Sequence, residues 1–584
     1  MGFVFLALSA VVAVRLGKLM IYSEDKVSEY AARQKYGSLE LHNPRGVIYD
    51  RNMNELAMSI RLKSVYINPR KMGPANKAAW AMASAMAAGG GKETGRLAHR
   101  FKVMLTHSRD RQFMWVERKI EPEVYQRLKA AKQPGMGFVD EYRRFYPKKD
   151  MAAKIIGFCG MDNKGLSGVE YYYDRQIQGI NARSKVRKDA LGRPVDSPEA
   201  LGIPEAYIPY DMELTIDERI QYVAERALMR KVEATSAVGG VAIVMDPHTG
   251  EVLAIAEQPR FNPNSFGLYG AESFKSHAIS IPVEPGSTFK VFVAAAALEE
   301  KVLRPADIIN CENGSYTVGD KTFKEAHSRK FGKIPAGEVI AQSSNIGAIK
   351  IGERLGRDRM DAYLRRFGFG VRTGVDLPGE SPGMLREAHK WSQASVPSIS
   401  FGQEVSVTPI QLLTAFSPLA NGGWLVKPRV VKALLQEGRV VKTFGAEPRA
   451  RVLSESTVKI MNGMMRGVVE RGTGAKAAVE GFAVAGKTGT AQVFDNRTGA
   501  YSENKYIASF IGFFPAEDPA LMILVMIDSP SGVAYGGAVA APVFAEIAAR
   551  AARILRIPGA GTKIYVMDFT PAVPSAAPHG GGNT

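Results

Sequence analysis

The sequence predicts an α+β protein of two folded modules behind an apolar N-terminal helix, and three observations carry that prediction. The chain has 584 residues, too many for one ordinary hydrophobic core. From about residue 212 the apolar positions follow a compact alternation of helical and strand periods, whereas residues 23–210 are polar, basic and irregular. The opening stretch, MGFVFLALSAVVAVRLGKLM, stands apart from both. These shifts divide the chain into an anchor (1–22), an N-terminal module (23–210), a larger α/β-patterned module (211–558) and a flexible tail rich in Pro, Ala and Gly (559–584).

Taken in order, the apolar run from Gly2 to Val14 is shorter than the roughly 20 residues that span a bilayer. It reaches that length only by including Arg15 and Lys18, whose long side chains suit an interface. We read it as a single membrane anchor, incomplete on its cytoplasmic side, rather than a cleaved signal peptide or a core helix. In the next module, residues 43–59 (NPRGVIYDRNMNELAMS) read as turn, strand, turn, strand. Residues 76–88 read as a helix ended by Gly89-Gly90-Gly91, and a Pro-punctuated boundary lies at 203–211.

In the larger module, Asp217 is a fitting N-cap for a helix that aligns Ile220, Val223, Ala227, Leu228 and Val232. Two apolar runs around Asp246-Pro247-His248-Thr249-Gly250 predict a β-hairpin. GFAVAGKTGTAQV, IASFIGFFPA and ALMILVMIDSP predict three successive strands, and APVFAEIAARAARIL predicts a closing amphipathic helix. Helices first and last, about five mainly antiparallel strands, and a helical insertion between the second and third make a helix-sheet-helix sandwich.

Hydrophobic residues at 46% and charged residues at 23% describe a globular chain. The net charge of +18 admits nucleic acid, anionic lipid or an acidic polymer as partners. There is no zinc-finger spacing, RNP-like aromatic run or long basic helix, so no nucleic acid is expected. Cys159 and Cys311 lie far apart with no CxxC, which offers neither a metal site nor a disulfide framework.

Three short patterns carry chemistry. Ser-x-x-Lys occurs at Ser287/Lys290, but also at Ser23/Lys26, Ser456/Lys459 and Ser502/Lys505, so spacing alone decides nothing. Ser287 differs by context: Pro285-Gly286 forms a turn and TFKVFVAAAALEE follows as a helix. A serine there faces free N–H groups, and a lysine at i+3 lies on the same face. Were Lys290 buried, its amine would be neutral enough to take the serine proton; the same residues would also serve as a plain cap and a solvated charge. Ser343-Ser344-Asn345 sets a hydroxyl and a carboxamide at a helix start. Lys487-Thr488-Gly489-Thr490 lies in an alternating strand, where Lys487, Thr488 and Thr490 suit a carboxylate and Gly489 admits a ligand backbone.

Ser-x-x-Lys, Ser-x-Asn and Lys-Thr-Gly in this order and at these separations resemble the motif set of penicillin-binding proteins and class A β-lactamases. The segments LTIDERIQ, MDPHTGEVLAIAEQPRFNPN, FGQEVSVTPIQLL and RGTGAKA resemble further landmarks of the transpeptidase domain. RGVIYDRN and GFCGMDNKGLSGVEYYYD resemble the pedestal, or dimerisation, module of class B members, and YGGAVAAPVFAEIA resembles the septal ones. The resemblance implies a serine DD-peptidase/β-lactamase-like fold on an elongated pedestal. It implies a D,D-transpeptidase that cross-links peptidoglycan stem peptides at the division septum, through an acyl-enzyme on Ser287 that β-lactams also form.

Carried over by position, the resemblance makes Lys290 the general base. Ser343 and Lys487 relay a proton to the departing D-alanine, and Asn345 binds the substrate amide. Thr488 and Thr490 hold its terminal carboxylate beside Gly489, and the backbone N–H groups of Ser287 and Thr490 form the oxyanion hole. No metal or organic cofactor is implied. The implied partners are stem peptides and nascent glycan strands, the membrane, a lipid-linked glycosyltransferase and division proteins, with the catalytic domain in the periplasm. The middle triplet is Ser-Ser-Asn where class A β-lactamases have Ser-Asp-Asn, and no Glu-x-x-Leu-Asn segment is present, which speaks against a β-lactamase. A D,D-carboxypeptidase, an elongation enzyme and a non-catalytic β-lactam-binding scaffold are the competing readings.

Overall fold

The computed structural model describes residues 2–22, 36–41, 44–87, 91–178, 182–187, 209–495, 500–533 and 535–559. The glycine stop at 89–90, most of the 203–211 boundary, Ser23/Lys26 and the tail from 560 onward lie outside the described residues.

A helix, α1 (Gly2–Tyr22), comes first, with Phe3, Phe5 and Leu6 exposed. Among the described residues no helix is long and apolar enough to cross a membrane. In the N-terminal module the short strand β1 (Ile48–Tyr49) pairs with the long β2 (Glu55–Ile67). β2 also pairs antiparallel with β3 (Met114–Ile120) and β4 (Met136–Phe145). Helices Ala75–Met86 and Lys92–His107 bury one face each against this sheet, and Val65, Met82, Phe101 and Leu128 centre a separate distal core.

The strand β5 (Asp211–Leu214) runs parallel to β1 and antiparallel to β8 (Val431–Gln436) of the larger module. One sheet therefore crosses the compositional boundary. The near end of the N-terminal module, through Ile48, Tyr146 and Ile155, shares a single apolar core with the larger module. Lys154 Nζ reaches the Glu257 carboxylate at 3.3 Å with both groups buried, and Tyr173 Oη donates to Asp376 at 3.1 Å.

In the larger module α2 (Glu218–Ala234) starts at Asp217, whose carboxylate accepts from the Arg219 and Ile220 N–H groups. β6 (Gly239–Met245) and β7 (Val252–Gln258) form the expected hairpin. After a long insertion come β10 (Ala485–Asp495), β11 (Ala500–Phe514) and β12 (Leu521–Asp528). β9 (Arg439–Thr443) continues the joint sheet beside β8. The five-stranded sheet runs in the order β10-β11-β12-β6-β7, every neighbouring pair antiparallel. α2 and the closing helix α5 (Gly536–Leu555) cover one face, and the insertion covers the other. Within the insertion, α3 (Lys290–Glu299) is buried on all sides from Lys290 to Leu298. Such a helix is an axis of the core rather than a surface element.

The two segments of the N-terminal module that carried the resemblance meet at one buried acid. Glu170, with no exposed side-chain surface, pairs with Arg45 at 2.8 Å and Arg144 at 2.5 Å, and Arg45 also reaches Asp174 at 2.7 Å. The two guanidinium groups hold the Glu170 carboxyl below its ordinary range against the opposing effect of burial. Removing one partner of such a cluster strands the others without compensation. Glu170→Ala is expected to cost about 3 to 5 kcal/mol in the unfolding transition of this module, followed by the fluorescence of Trp115 during denaturant titration.

Candidate active site

The three motifs converge on one cleft of about 730 Å³, lined by Ser287, Ser343, Asn345, Thr488, Gly489 and Thr490 among others. Ser287 lies in a 3-10 turn, Gly286–Phe289, that feeds directly into α3. The sequence predicts an α-helical N-terminus there; the tighter turn keeps Ser287 and Lys290 one turn apart.

The FGQEVSVTPIQLL segment braces this turn from below. Val283 and Val407 exchange two backbone hydrogen bonds of 2.9 Å, and Gly286 N–H donates to Gly402 at 3.2 Å. Glu404 N–H donates to the Glu284 carboxylate at 3.0 Å, as does Tyr501 Oη. Burial raises the Glu284 carboxyl pKa, opposed by these hydrogen bonds.

Lys290 enters the core with α3 and is 1% exposed. Its Nζ donates to the Ser343 carbonyl at 2.7 Å, to Ser343 Oγ at 3.3 Å and to Asn345 Oδ1 at 2.7 Å. Burial brings its pKa down to about 7, against the opposite pull of the Glu325 charge. Lys487 of β10 has no exposed surface, and its Nζ donates to the same Ser343 Oγ at 2.8 Å and to the Thr488 carbonyl at 3.0 Å. Its pKa lies well below the ordinary value, through burial first and the like charge of Lys290 second. One hydroxyl thus stands between two buried amines, and the charge of Lys290 further disfavours a proton on Lys487.

Ser343 precedes helix α4 (Asn345–Leu355) with φ of 61°. A non-glycine residue held there costs on the order of 1 to 3 kcal/mol, strain of the kind that gathers at functional sites. Ser344 is the true N-cap, accepting from Gly347 N–H at 2.9 Å, which leaves Ser343 free to face the cleft. Asn345 donates one Nδ2 hydrogen to the Lys324 carbonyl at 3.0 Å, and its Oδ1 accepts from Lys290 Nζ at 2.7 Å. The second Nδ2 hydrogen remains for a substrate carbonyl.

β10 is an edge strand, so its free backbone edge faces the cleft. Gly489 lines the cleft, and its missing side chain also serves the protein's own packing. A Cβ there would stand 2.3 Å from Ser509 Oγ and 2.9 Å from Thr288 Cγ2, so glycine lets the Ser287 turn press onto the strand. A Cβ at Gly536 would meet the Gly489 carbonyl at 2.3 Å, so glycine there lets the start of α5 come equally close. Thr490 Oγ1 accepts from Gly536 N–H at 3.2 Å, and Thr488 Oγ1 lies 2.7 Å from Thr473 Oγ1. Thr473, from the RGTGAKA segment, extends the hydroxyl row beyond what the Lys-Thr-Gly motif disclosed. The other residue hidden from the sequence reading is Glu325, which binds the first turn of α4. No motif marks it, because its segment meets α4 only in the folded chain.

Cys159 and Cys311 are both free and buried. Among the described residues no cluster of His, Cys, Asp or Glu suits a metal ion.

Comparison with known proteins agrees with this geometry. Residues 240–549 match the penicillin binding protein transpeptidase domain, and residues 40–202 match the penicillin-binding protein dimerisation domain. Stage V sporulation protein D of Bacillus subtilis is 33% identical over 544 residues, covering 92% of this chain and 82% of that protein. Peptidoglycan D,D-transpeptidase FtsI of Escherichia coli K12 is 30% identical over 569 residues, covering 95% of this chain and 91% of its own length. The crystal structure of penicillin-binding protein 3 from Mycobacterium tuberculosis with aztreonam superimposes with a TM-score of 0.68 at 27% identity, covering 89% of this chain and 98% of that one. With a transpeptidase match over more than half its length and relatives of this identity aligned almost end to end, the chain belongs to the class B penicillin-binding proteins.

Proposed function

We propose that this protein is a septal peptidoglycan D,D-transpeptidase in which Ser287 is the nucleophile. The observation that carries the reading is the Ser343 hydroxyl held between two buried, proton-poor amines in the cleft that Ser287 also lines. Lys290, neutral for a large share of molecules near pH 7, takes the Ser287 proton as Oγ attacks the carbonyl between the terminal D-alanines of a stem peptide. The tetrahedral oxyanion is received by the backbone N–H groups of Ser287 and Thr490, each worth roughly 3 kcal/mol in comparable sites. Ser343, in contact with both lysines, passes a proton toward the departing D-alanine nitrogen. Thr488 and Thr490 orient the terminal carboxylate, with Thr473 completing the row. The acyl group then moves to an amine of a neighbouring stem, which forms the cross-link, and a β-lactam entering the same cleft leaves Ser287 acylated.

Septal action is supported by the relatives named FtsI and PenA. Membrane attachment through α1, a periplasmic active site, and pairing with a lipid-linked glycosyltransferase and division proteins complete the proposal. The exposed apolar side chains of α1 support its attachment, with Arg15 and Lys18 at the interface.

Fluorescent penicillin tests the nucleophile directly: the wild type labels covalently and Ser287→Ala does not. Equal labelling of the two proteins, or none of the wild type, overturns the assignment. Nascent glycan strands supplied to the enzyme yield cross-linked dimers; release of D-alanine without dimers assigns it as a carboxypeptidase instead.

The pH dependence of acylation follows from Lys290. The amine is a base only above its pKa, so the rate constant for penicillin acylation rises roughly tenfold per pH unit below about 7 and levels off above it. Stopped-flow fluorescence across the pH range reads the inflection. Ser343→Ala slows the same step by about 100-fold, the lower range for loss of a positioned proton-transfer group.

A further inference from the structure

The acid that holds the Ser343–Asn345 turn belongs to none of the three motifs. Glu325 follows the short strand Lys321–Lys324 and is 6% exposed. It accepts from the backbone N–H of Asn345 at 2.7 Å, from that of Ile346 at 3.3 Å, and from Ser344 Oγ. Its neighbour Lys324 takes the Asn345 Nδ2 hydrogen at 3.0 Å. The two N–H groups belong to the first turn of α4, where unpaired donors and the helix dipole favour an anion.

The consequence reaches Lys290 by two routes. With Nδ2 tied to Lys324, the Asn345 carboxamide has its Oδ1 toward Lys290 Nζ. With Ser344 and Asn345 clamped to the carboxylate, Ser343 is kept in its left-handed backbone, which presents both its carbonyl and its Oγ to the same amine. All three acceptors of Lys290 therefore sit on a turn that Glu325 secures.

We propose that Glu325 is a positioning residue for the acyl transfer: it locks the Ser343–Asn345 turn around the Lys290 amine and places one negative charge behind it. The charge bearing on Lys290 is that of Glu325 from the 321–325 segment; Lys487 from β10 meets the same Ser343 hydroxyl and is itself driven toward its neutral form by burial and by Lys290, while the turn and α4 contribute the neutral Ser343 and Asn345. Glu325 itself faces Ser344, the first turn of α4 and the Cys311 thiol, whose pKa burial raises. Burial lowers the Lys290 pKa and the Glu325 charge opposes that, so loss of the charge moves the Lys290 titration to lower pH. The effect on rate rests on the acyl-enzyme reading above; the effect on the lysine does not.

The test is a 13C NMR titration of the Lys290 side chain in the full chain, assigned by its disappearance in Lys290→Arg, together with penicillin acylation rates. In Glu325→Gln the midpoint falls by about half a pH unit or more, and the high-pH plateau of acylation drops at least about tenfold. In Glu325→Asp the charge remains and the midpoint stays at the wild-type value. The shorter side chain no longer reaches both N–H groups, and the plateau falls several-fold. A wild-type lysine midpoint in Glu325→Gln overturns the proposal, as does a wild-type plateau in either variant. Should Glu325→Gln not fold, the plateau of Glu325→Asp decides. If penicillin leaves the wild type unlabelled, the acyl-enzyme reading falls, while the lysine titration still decides the role of Glu325.

Discussion

Two lysine amines taken out of water around a single serine hydroxyl are the constraint on which the rest of this structure depends. An ammonium is expensive to bury, so each amine must be given oxygen acceptors in fixed directions and is driven toward its neutral form. Lys290 receives three acceptors and Lys487 two close ones, and Ser343 Oγ is common to both. The acceptors that Ser343 supplies are presented by a backbone held in a conformation that a serine does not choose by itself. The surrounding fold supplies what that arrangement needs. A helix buried all round carries Lys290 inward, an edge strand carries Lys487, and a buried acid clamps the turn between them.

Close approach is the second requirement, and it is met by removing side chains. The Ser287 turn, β10 and the start of α5 come together at Gly489 and Gly536, where a single methyl on either would collide with backbone or side-chain atoms at under 2.5 Å. That compression sets the nucleophile against a free strand edge and leaves a row of hydroxyls, Thr473, Thr488 and Thr490, along one wall of the cleft. A peptide laid along the edge would meet backbone donors, hydroxyls and the nucleophile in one pass.

The N-terminal module is tied to this platform more firmly than its polar, irregular sequence suggests. β5 bonds to a strand of each module, and one apolar core runs through both. The buried pair Lys154–Glu257 and the Tyr173–Asp376 hydrogen bond fasten the contact further. The distal lobe keeps its own core around Phe101 and Met82. The near half of the module is thus part of the transpeptidase body, and the far half is a separate lobe extending from it.

The order of elements in the larger module was legible from periodicity alone. The hairpin around Asp246–Gly250, the three late strands and the Asp217 cap all depend on residues near one another in the chain. The choice of Ser287 among four Ser-x-x-Lys matches was legible too, from its turn, its helix and the ordered motifs downstream. Sequence left open whether Lys290 was a solvated charge or a base, since the answer lies in how deeply α3 is buried by elements hundreds of residues apart. It did not disclose that Gly489 also lets the Ser287 turn pack against the strand, it marked the RGTGAKA segment without assigning a role to Thr473, and it passed over Glu325. Local pattern records which residues can form a strand, a cap or a helix. Only tertiary packing decides which water is excluded, which charges face one another, and therefore which proton a lysine keeps.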